Sequence, residues 1–218
     1  VRACVERLPE SQLKEIAQAV RAGSKPKGLY LQTEKGEEMI PTALTPWVFT
    51  PEVARYLTGL FRGIRRTVNR VLSHYFEDPR LQAILPLREN ELQWLKASCP
   101  DGMPRRQTVF ERFDTNLGSQ PESQLGDFKI IEFNAVGVGC IHLIPAATEL
   151  LNEQLVPSLK EALPELAWGA PSDYRQLLLQ ELQAHARAIE KENCRIGLVE
   201  RRESVIGGCD EFAYVASF

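Results

Sequence analysis

One stretch of this chain changes its hydrophobic period, and that change constrains the fold more than any other feature of the sequence. From Thr50 to about Phe76 the apolar residues recur at the spacing of an α-helix with one buried face. Between Thr108 and Val136 they alternate with polar residues, as in "TVFERFDTNL" and "FKIIEFNAV", which is typical of half-buried β-strands. Helical spacing returns after this stretch. The sequence therefore predicts an α/β protein of the mixed α+β kind, with N-terminal helices packed on a small antiparallel sheet.

The helix predicted after Thr50 has the strongest local signals. Thr50 is a good N-cap, Pro51 suits the first helical position, and Glu52 favours the helix dipole there. One apolar stripe runs along the helix: Val53, Leu57, Leu60, Phe61, Ile64, Val68, Val71, Leu72 and Tyr75. The arginines of this helix form either an anion-binding surface or a solvated face whose aliphatic stems cover apolar residues. They are Arg55, Arg62, Arg65, Arg66 and Arg70.

Shorter helices are predicted on both sides of this segment. Their patterns are "PESQLKEIAQAVRAG", which Gly23 ends, "DPRLQAILPL", "RENELQWLKAS", "IPAATELLNEQLVPSLKEAL", which Pro157 interrupts, and "SDYRQLLLQELQAHARAIEKEN", with Ser172 as its N-cap. Residues 24–49 are predicted to be a loop with short extended pieces, because Pro and Gly residues interrupt them repeatedly.

The C-terminal residues have the pattern of an α/β unit that begins within this chain. "CRIGLVE" predicts a short buried strand, "SVIGGCD" a turn, and "DEFAYVASF" a helix. The turn is either a plain connection or an anion site made by backbone N–H groups. Because Phe218 falls within the helical pattern, we expect the chain to be a fragment of a longer protein. Residues 1–193 would form a helical and β-hairpin part, and residues 194–218 the beginning of a truncated α/β unit.

Composition argues against several classes of function. The net charge of -3 gives no reason to expect nucleic acid or an acidic membrane surface as a partner. No apolar run is long enough to cross a bilayer and the N-terminus has no signal-peptide pattern, so we expect a cytoplasmic protein. The five cysteines are widely spaced without a C-x-x-C pair, which indicates reduced, mostly buried thiols. His74, His142 and His185 lack metal-ligand spacing, and we expect them at the surface or packed beside helices.

Charged and amide side chains occupy the alternating segments at positions where packing alone would favour apolar residues. Arg112 and Asp114 point to one side of the first segment, and Glu132 and Asn134 point to one side of the second. The intervening "GSQPESQLGD" is rich in turn-forming residues, so an antiparallel hairpin is expected. A hairpin centred near Ser123 places Asp114 opposite Glu132 and Arg112 opposite Asn134.

The apolar residues of the second segment divide between its two faces. Regular alternation places Ile130 on the same face as Glu132, and Ile131 with Phe133 on the opposite face. Each strand then has one largely apolar face and one face that carries charge.

The two opposed carboxylates suggest a metal site. Adjacent carboxylates repel each other, so a positive group must lie between or beside them. Arg112 supplies one, and a hard divalent cation would supply another. Carboxylate and amide oxygens are ligands that Mg²⁺ accepts, with water or phosphate completing its octahedron. The alternative is a solvent-facing hairpin with incidental salt bridges, each worth about 1 kcal/mol or less.

The combination "RFD…KIIEFNA" resembles the glutathionylspermidine synthase family and, more distantly, the eukaryotic-type glutathione synthetases. Both are ATP-grasp ligases with a permuted domain order. By this resemblance, Asp114, Glu132 and Asn134 match the family's magnesium ligands, which hold the metal against the phosphates of ATP. Arg112 matches the arginine that stabilises the acyl phosphate and the tetrahedral state. The implied reaction is ATP-dependent amide-bond formation between a carboxylate and an amine.

The residues that follow this motif imply a substrate site, although they differ from the family pattern. Gly137 and Gly139 stand where the family has a serine-containing run that binds a thiol peptide, and Cys140 matches a cysteine of some members. The glycines either let the backbone approach a ligand closely or mark a tight bend.

The resemblance also implies an incomplete ATP-grasp fold. The lysines that clamp the nucleotide in the family lie beyond Phe218, so the ATP site would be mostly outside this chain, in a missing lobe of the same protein. The competing hypothesis is a non-catalytic, ligase-derived domain. Such a domain would bind a small peptide, an acidic ligand or a protein partner.

Overall fold

The computed structural model describes residues 2–46, 49–98, 110–116, 128–135, 139–164, 172–191, 195–197 and 211–217. Within these residues the chain forms nine helices and two antiparallel two-stranded sheets, so the predicted mixture of α and β structure is confirmed. None of the described helices is both long enough and apolar enough to span a bilayer. In chain order the elements are α1 (Arg2–Val5), α2 (Glu10–Ser24), β1 (Tyr30–Thr33), β2 (Gly36–Met39), α3 (Pro51–His74), α4 (Pro79–Ile84), α5 (Glu89–Ser98), β3 (Arg112–Asn116), β4 (Lys129–Asn134), α6 (Leu143–Gln154), α7 (Val156–Ala162), α8 (Tyr174–Ala188) and α9 (Glu211–Ala216).

The chain divides into two compact units. Residues 1–48 and 137–218 form the first unit, and residues 49–136 form the second. In sequence, the second unit is therefore an insertion into the first. The boundary predicted at residue 194 lies outside the described residues and stays a prediction.

The first unit has an apolar core between its helices. α2 packs against α6, and α1 packs against α7. Gly23 allows the close approach of α2 to α6, because an added Cβ would lie 2.5 Å from Cδ1 of Leu150. The predicted interruption at Pro157 is confirmed, since α6 ends at Gln154 and α7 begins with this proline in its first turn. The core residues are Val5, Ile16, Val20, Leu29, Ala146, Leu150, Leu155 and Leu159.

Helix α9 joins the first unit through Tyr214. The ring of Tyr214 stacks on the imidazole of His142, with centroids 4.5 Å apart, and it covers Gly28, whose φ of 70° favours glycine. His142 is 4% exposed and donates its Nε2–H to the carbonyl of Lys27 at 2.9 Å. The expectation that His142 is a packed residue is therefore confirmed.

A network of ion pairs connects α6, α8 and the turn after α2. Arg175 of α8 binds Glu149 of α6 and Asp173, the N-cap of its own helix. Lys27 binds Glu149 and Glu153 from the other side. The side chain of Arg175 is only 11% exposed, so its guanidinium has lost most of its contact with water. The hydrogen bonds from Arg175 to Asp173 and Glu149 compensate for this loss, and they raise the pKa of Arg175 above its ordinary value.

The second unit is built on the long helix α3, which begins as predicted. The side chain of Thr50 caps it by accepting the N–H of Val53 at 3.3 Å. The predicted apolar stripe is half-buried along the helix, and Tyr75, just after it, is fully buried. Arg65 pairs with Glu111 at 3.2 Å. The other arginines are exposed, as expected for a solvated face: Arg55, Arg62, Arg66 and Arg70.

The apolar face of the β3–β4 hairpin packs on α3 through stacked aromatic rings. Phe113 stacks on Phe61 of α3, with centroids 4.7 Å apart, and on Phe133 of β4, with centroids 4.8 Å apart. Aromatic pairs of this kind add to the burial of apolar area. The stack fixes which face of the hairpin is turned toward α3, and the opposite face is left for polar residues.

Several predicted boundaries differ from the observed ones. Asp173, and not Ser172, is the N-cap of α8, because its carboxylate accepts the N–H of Arg175 at 2.9 Å. Residues 24–49 contain the regular hairpin β1–β2 in addition to loop. Of the strand predicted at residues 194–200, residues 195–197 are described and have no regular secondary structure. The predicted turn before α9 lies outside the described residues.

Candidate functional site

Four of the residues singled out in the sequence lie on one face of the β3–β4 hairpin. Arg112 pairs with Asn134, and Asp114 pairs with Glu132, across the two antiparallel strands. Directly opposed residues of antiparallel strands have their side chains on the same face. The predicted register of this hairpin is therefore confirmed.

A β-bulge at Ile131 changes which other residues join this face. Thr115 pairs with Ile130 and Asn116 pairs with Lys129, so Ile131 is an extra residue in β4. The side chain of Ile131 is 70% exposed. The prediction that Ile130 lies on the charged face is wrong, because the bulge turns it to the face of Thr115. Lys129 takes the position on the charged face instead.

We call this surface the polar face. It carries no apolar residue at any of its three cross-strand pairs, while Phe113, Phe133 and Ile130 lie on the opposite face. Alternation along the first strand already predicts Asn116 on this face, whereas sequence reasoning missed Lys129, which only the bulge brings into line with the others. The polar face consists of Arg112, Asp114, Asn116, Lys129, Glu132 and Asn134.

Arg112 and Asp114 form a two-point ion pair on the polar face. Nε of Arg112 donates to Oδ1 of Asp114 at 2.7 Å, and Nη2 donates to Oδ2 at 3.1 Å. Through these hydrogen bonds, the guanidinium holds the pKa of Asp114 below its ordinary value. Asp114 is therefore a carboxylate at neutral pH, and each oxygen keeps a lone pair that another cation can use.

Asn134 contributes a half-buried amide to the same face. Its buried Nδ2 has no hydrogen-bond acceptor among the described residues. The amide contributes slightly to the low pKa of Asp114, but Nδ2 does not reach the geometry of a hydrogen bond with that carboxylate. An unsatisfied buried amide atom costs free energy. The other polar atom of the amide, Oδ1, is an acceptor of the kind that a cation can use.

Glu132 is exposed and faces Asp114 across the ladder. Like charges that are directly opposed destabilise a sheet, so the pair favours a bound cation. The described residues contain no group of three or more His, Cys, Asp or Glu side chains able to hold a metal. The polar face instead offers two carboxylates and one amide. This donor set suits Mg²⁺, which takes few protein ligands and completes its shell with water or phosphate oxygens.

The residues predicted to bind substrate are described only in part. Gly137 lies outside the described residues. Gly139 and Cys140 are half-buried in the first unit, and a two-residue turn separates them from α6. Cys140 has a φ of 68°, so the backbone is left-handed at this cysteine. This conformation marks a tight turn at the entrance to α6.

The first unit also contains a cavity of about 350 Å³ that the sequence did not indicate. Its lining includes Arg175, Leu178, Leu179 and Leu182 on one face of α8, together with Ile196. Leucines at this spacing are typical of ordinary helix packing, which is why no signal pointed to a cavity. The guanidinium at its wall is already bound by acidic side chains, so the cavity presents a mainly apolar surface.

Neither the sequence nor the structure matches a known protein family, a curated protein or a solved structure. An account of function therefore depends on the polar face and on the motif that forms it.

Proposed function

We propose that this chain is the substrate- and Mg²⁺-binding portion of an ATP-dependent carboxylate–amine ligase similar to the glutathionylspermidine synthases. The main support is the register of β3 and β4, which gathers Arg112, Asp114, Glu132 and Asn134 on one face. The outer face of a hairpin is often polar for solubility alone. Two opposed carboxylates, however, cost free energy until positive charge offsets them.

Each residue of the motif has a distinct part in this proposal. Asp114, Glu132 and Asn134 would hold Mg²⁺ through their oxygen atoms. The bound ion would supply positive charge for the phosphates of ATP. Arg112 keeps Asp114 ionised through the two hydrogen bonds described above. Its planar cation is also suited to stabilising negative charge on a phosphoryl group or a tetrahedral carbon.

The proposed reaction has two steps. A carboxylate oxygen of the acid substrate attacks the γ-phosphorus of ATP, which gives an acyl phosphate and ADP. The nitrogen of the amine then attacks the acyl carbon, the bond from that carbon to the phosphate oxygen breaks, and the nitrogen loses a proton. The products are an amide and inorganic phosphate. Holding the phosphates in a fixed position on the polar face would lower the entropic part of the barrier.

Replacement of Glu132 tests this proposal. In the full-length ligase that this proposal implies, we expect Glu132→Gln to reduce Mg²⁺-dependent ATP turnover by about 100-fold or more, because it removes a charged ligand of the ion. The same variant should abolish the rise in melting temperature that Mg²⁺ with ATP produces in the wild-type chain. Circular dichroism should remain that of the wild type, since Glu132 is exposed.

Glu38→Gln in β2 is the matched control, because it makes the same change on an exposed strand residue of the other hairpin. This control should retain the response to Mg²⁺ and ATP. Wild-type turnover by Glu132→Gln would contradict the proposal. If neither ATP nor Mg²⁺ affects the wild-type chain, the non-catalytic domain becomes the better explanation.

A further inference from the structure

The bulge in β4 has a consequence for the charge of the polar face. Without Ile131 as an extra residue, regular alternation would place Ile130 on this face and Lys129 on the aromatic face. With the bulge, Lys129 pairs with Asn116 and joins the polar face, where its side chain is exposed. At the bulge itself, the side chain of Ile131 is left 70% exposed.

The charged groups on the polar face then have a defined order. Arg112 lies at one end of the ladder and Lys129 at the other, with Asp114 and Glu132 paired between them. Two positive and two negative side chains leave the face close to neutral. A divalent cation on the carboxylates would give it a charge of about +2.

A face with this order of charges is suited to a polyphosphate. Along an antiparallel strand, the four-residue separation of Arg112 and Asn116 corresponds to about 13 Å. An extended polyanion can contact the cations at both ends while its middle lies over a metal held by the carboxylates. A single carboxylate or phosphate is too short to use the whole face.

We propose that Lys129 is a phosphate-binding residue of this site, brought into position by the bulge at Ile131. This inference rests on the proposed function, because it requires a metal ion on Asp114 and Glu132. The inference adds Lys129 to the site, although regular alternation in the sequence assigns this residue to the aromatic face. The ligand it would contact is a polyphosphate, such as the phosphate chain of a nucleoside triphosphate.

Calorimetric titration of the chain with inorganic tripolyphosphate, with and without Mg²⁺, tests the inference. We expect the wild type to bind tripolyphosphate only when Mg²⁺ is present, and Lys129→Met to weaken that binding about tenfold, as for the loss of a charge-assisted hydrogen bond. Lys129→Arg should retain it. Lys35→Met, at the turn of the other hairpin, removes a matched exposed lysine and should bind like the wild type.

The outcomes separate this inference from the proposed function. If Glu132→Gln abolishes binding but Lys129→Met binds like the wild type, the metal site stands and the role of Lys129 is overturned. The proposed function fails if the wild type shows no Mg²⁺-dependent binding of tripolyphosphate, or if Glu132→Gln leaves that binding unchanged. In either case this inference fails with it.

A swap of neighbouring residues tests the part played by the bulge. In the double variant Lys129→Ile with Ile130→Lys, the lysine moves to the aromatic face, so tripolyphosphate binding should fall as far as in Lys129→Met. In a regular ladder the same swap would instead bring a lysine onto the polar face, at position 130. Retention of wild-type binding by the swap variant would therefore overturn the inference.

Discussion

The two hairpins of this molecule use their charged residues differently. In β1–β2 the register is regular, and the carboxylates of Glu37 and Glu38 are neighbours in one strand, so they point to opposite faces. Each has its own partner, since Glu37 binds Lys25 and Glu38 accepts the hydroxyl of Thr33. In β3–β4 the two carboxylates instead face each other across the strands.

The comparison separates polarity that serves solubility from polarity that serves binding. A strand that needs only to be hydrated can spread its charges and pair each one locally, as β1–β2 does. The β3–β4 hairpin concentrates its charges on one face while stacking Phe113 and Phe133 on the other. Although Arg112 pairs with Asp114, a second carboxylate, that of Glu132, lies directly opposite this aspartate, which is why we assign binding to this hairpin and not to β1–β2.

The largest expected effect on stability comes from the aromatic stack. Phe113→Ala removes a ring that contacts both Phe61 and Phe133, and we expect it to lower the free energy of unfolding by about 2–3 kcal/mol. Leu31→Ala in β1 removes a half-buried side chain outside this stack and should cost about 1 kcal/mol. Urea denaturation followed by circular dichroism measures both values.

Phe113→Leu is the conservative partner of this variant. It keeps most of the apolar volume but loses the stacking, so we expect a cost of about 1 kcal/mol. Equal destabilisation by Phe113→Ala and Leu31→Ala would show that the stack does not support β3–β4 in the way we describe.

The extent to which the sequence predicts this structure differs between the hairpins. For β3–β4, alternation and a central turn-rich loop predicted that Asp114 would pair with Glu132. For β1–β2, the turn residues Glu34 and Lys35 lack the Asn-Gly or Asp-Gly pattern of tight hairpins, so the sequence predicts short extended pieces within a loop but not their pairing. Local signals thus predict a hairpin where the turn chemistry is distinctive and miss it where tertiary packing decides.

The bulge and the N-cap of α8 are the features that the sequence could not provide. Ile130 and Ile131 are chemically identical, so nothing in the sequence indicates which of them leaves the ladder or that either does. Ser172 and Asp173 are both good N-caps, and the two-point pairing of Asp173 with Arg175 decides between them. As a result, the motif residues of the polar face were predictable, whereas Lys129 was not.

Acidification should have a smaller effect than loss of the stack. Because Arg112 lowers the pKa of Asp114 in the folded state, the ion pair stabilises the fold above the unfolded pKa of this aspartate, near 4. This stabilisation is lost as the pH falls through the lower folded value. Since the side chain of Asp114 is 36% exposed, the contribution is about 1 kcal/mol or less.

Comparison of Asp114→Asn with the wild type in metal-free buffer measures this contribution. We expect the variant to be less stable at pH 7, and the two free energies of unfolding to converge as the pH falls below the folded pKa. A difference that stays constant from pH 7 to pH 2 would contradict the proposed pairing. Asp173→Asn provides a reference in the first unit, where Arg175 also lowers the pKa of the aspartate.

Deletion of Ile131 has the smallest expected effect, and it tests the difference in register between the two hairpins. Since Ile131 is the extra residue of the bulge, its removal leaves the pairs Asp114–Glu132 and Thr115–Ile130 intact. We expect the free energy of unfolding to change by less than about 1 kcal/mol, with Mg²⁺-dependent tripolyphosphate binding preserved. Deletion of Glu38 from the regular β1–β2 ladder should be more damaging, because one missing residue turns the rest of that strand to the opposite face. If both deletions destabilise the chain equally, Ile131 is not a surplus residue, and the position of Lys129 on the polar face loses its structural basis.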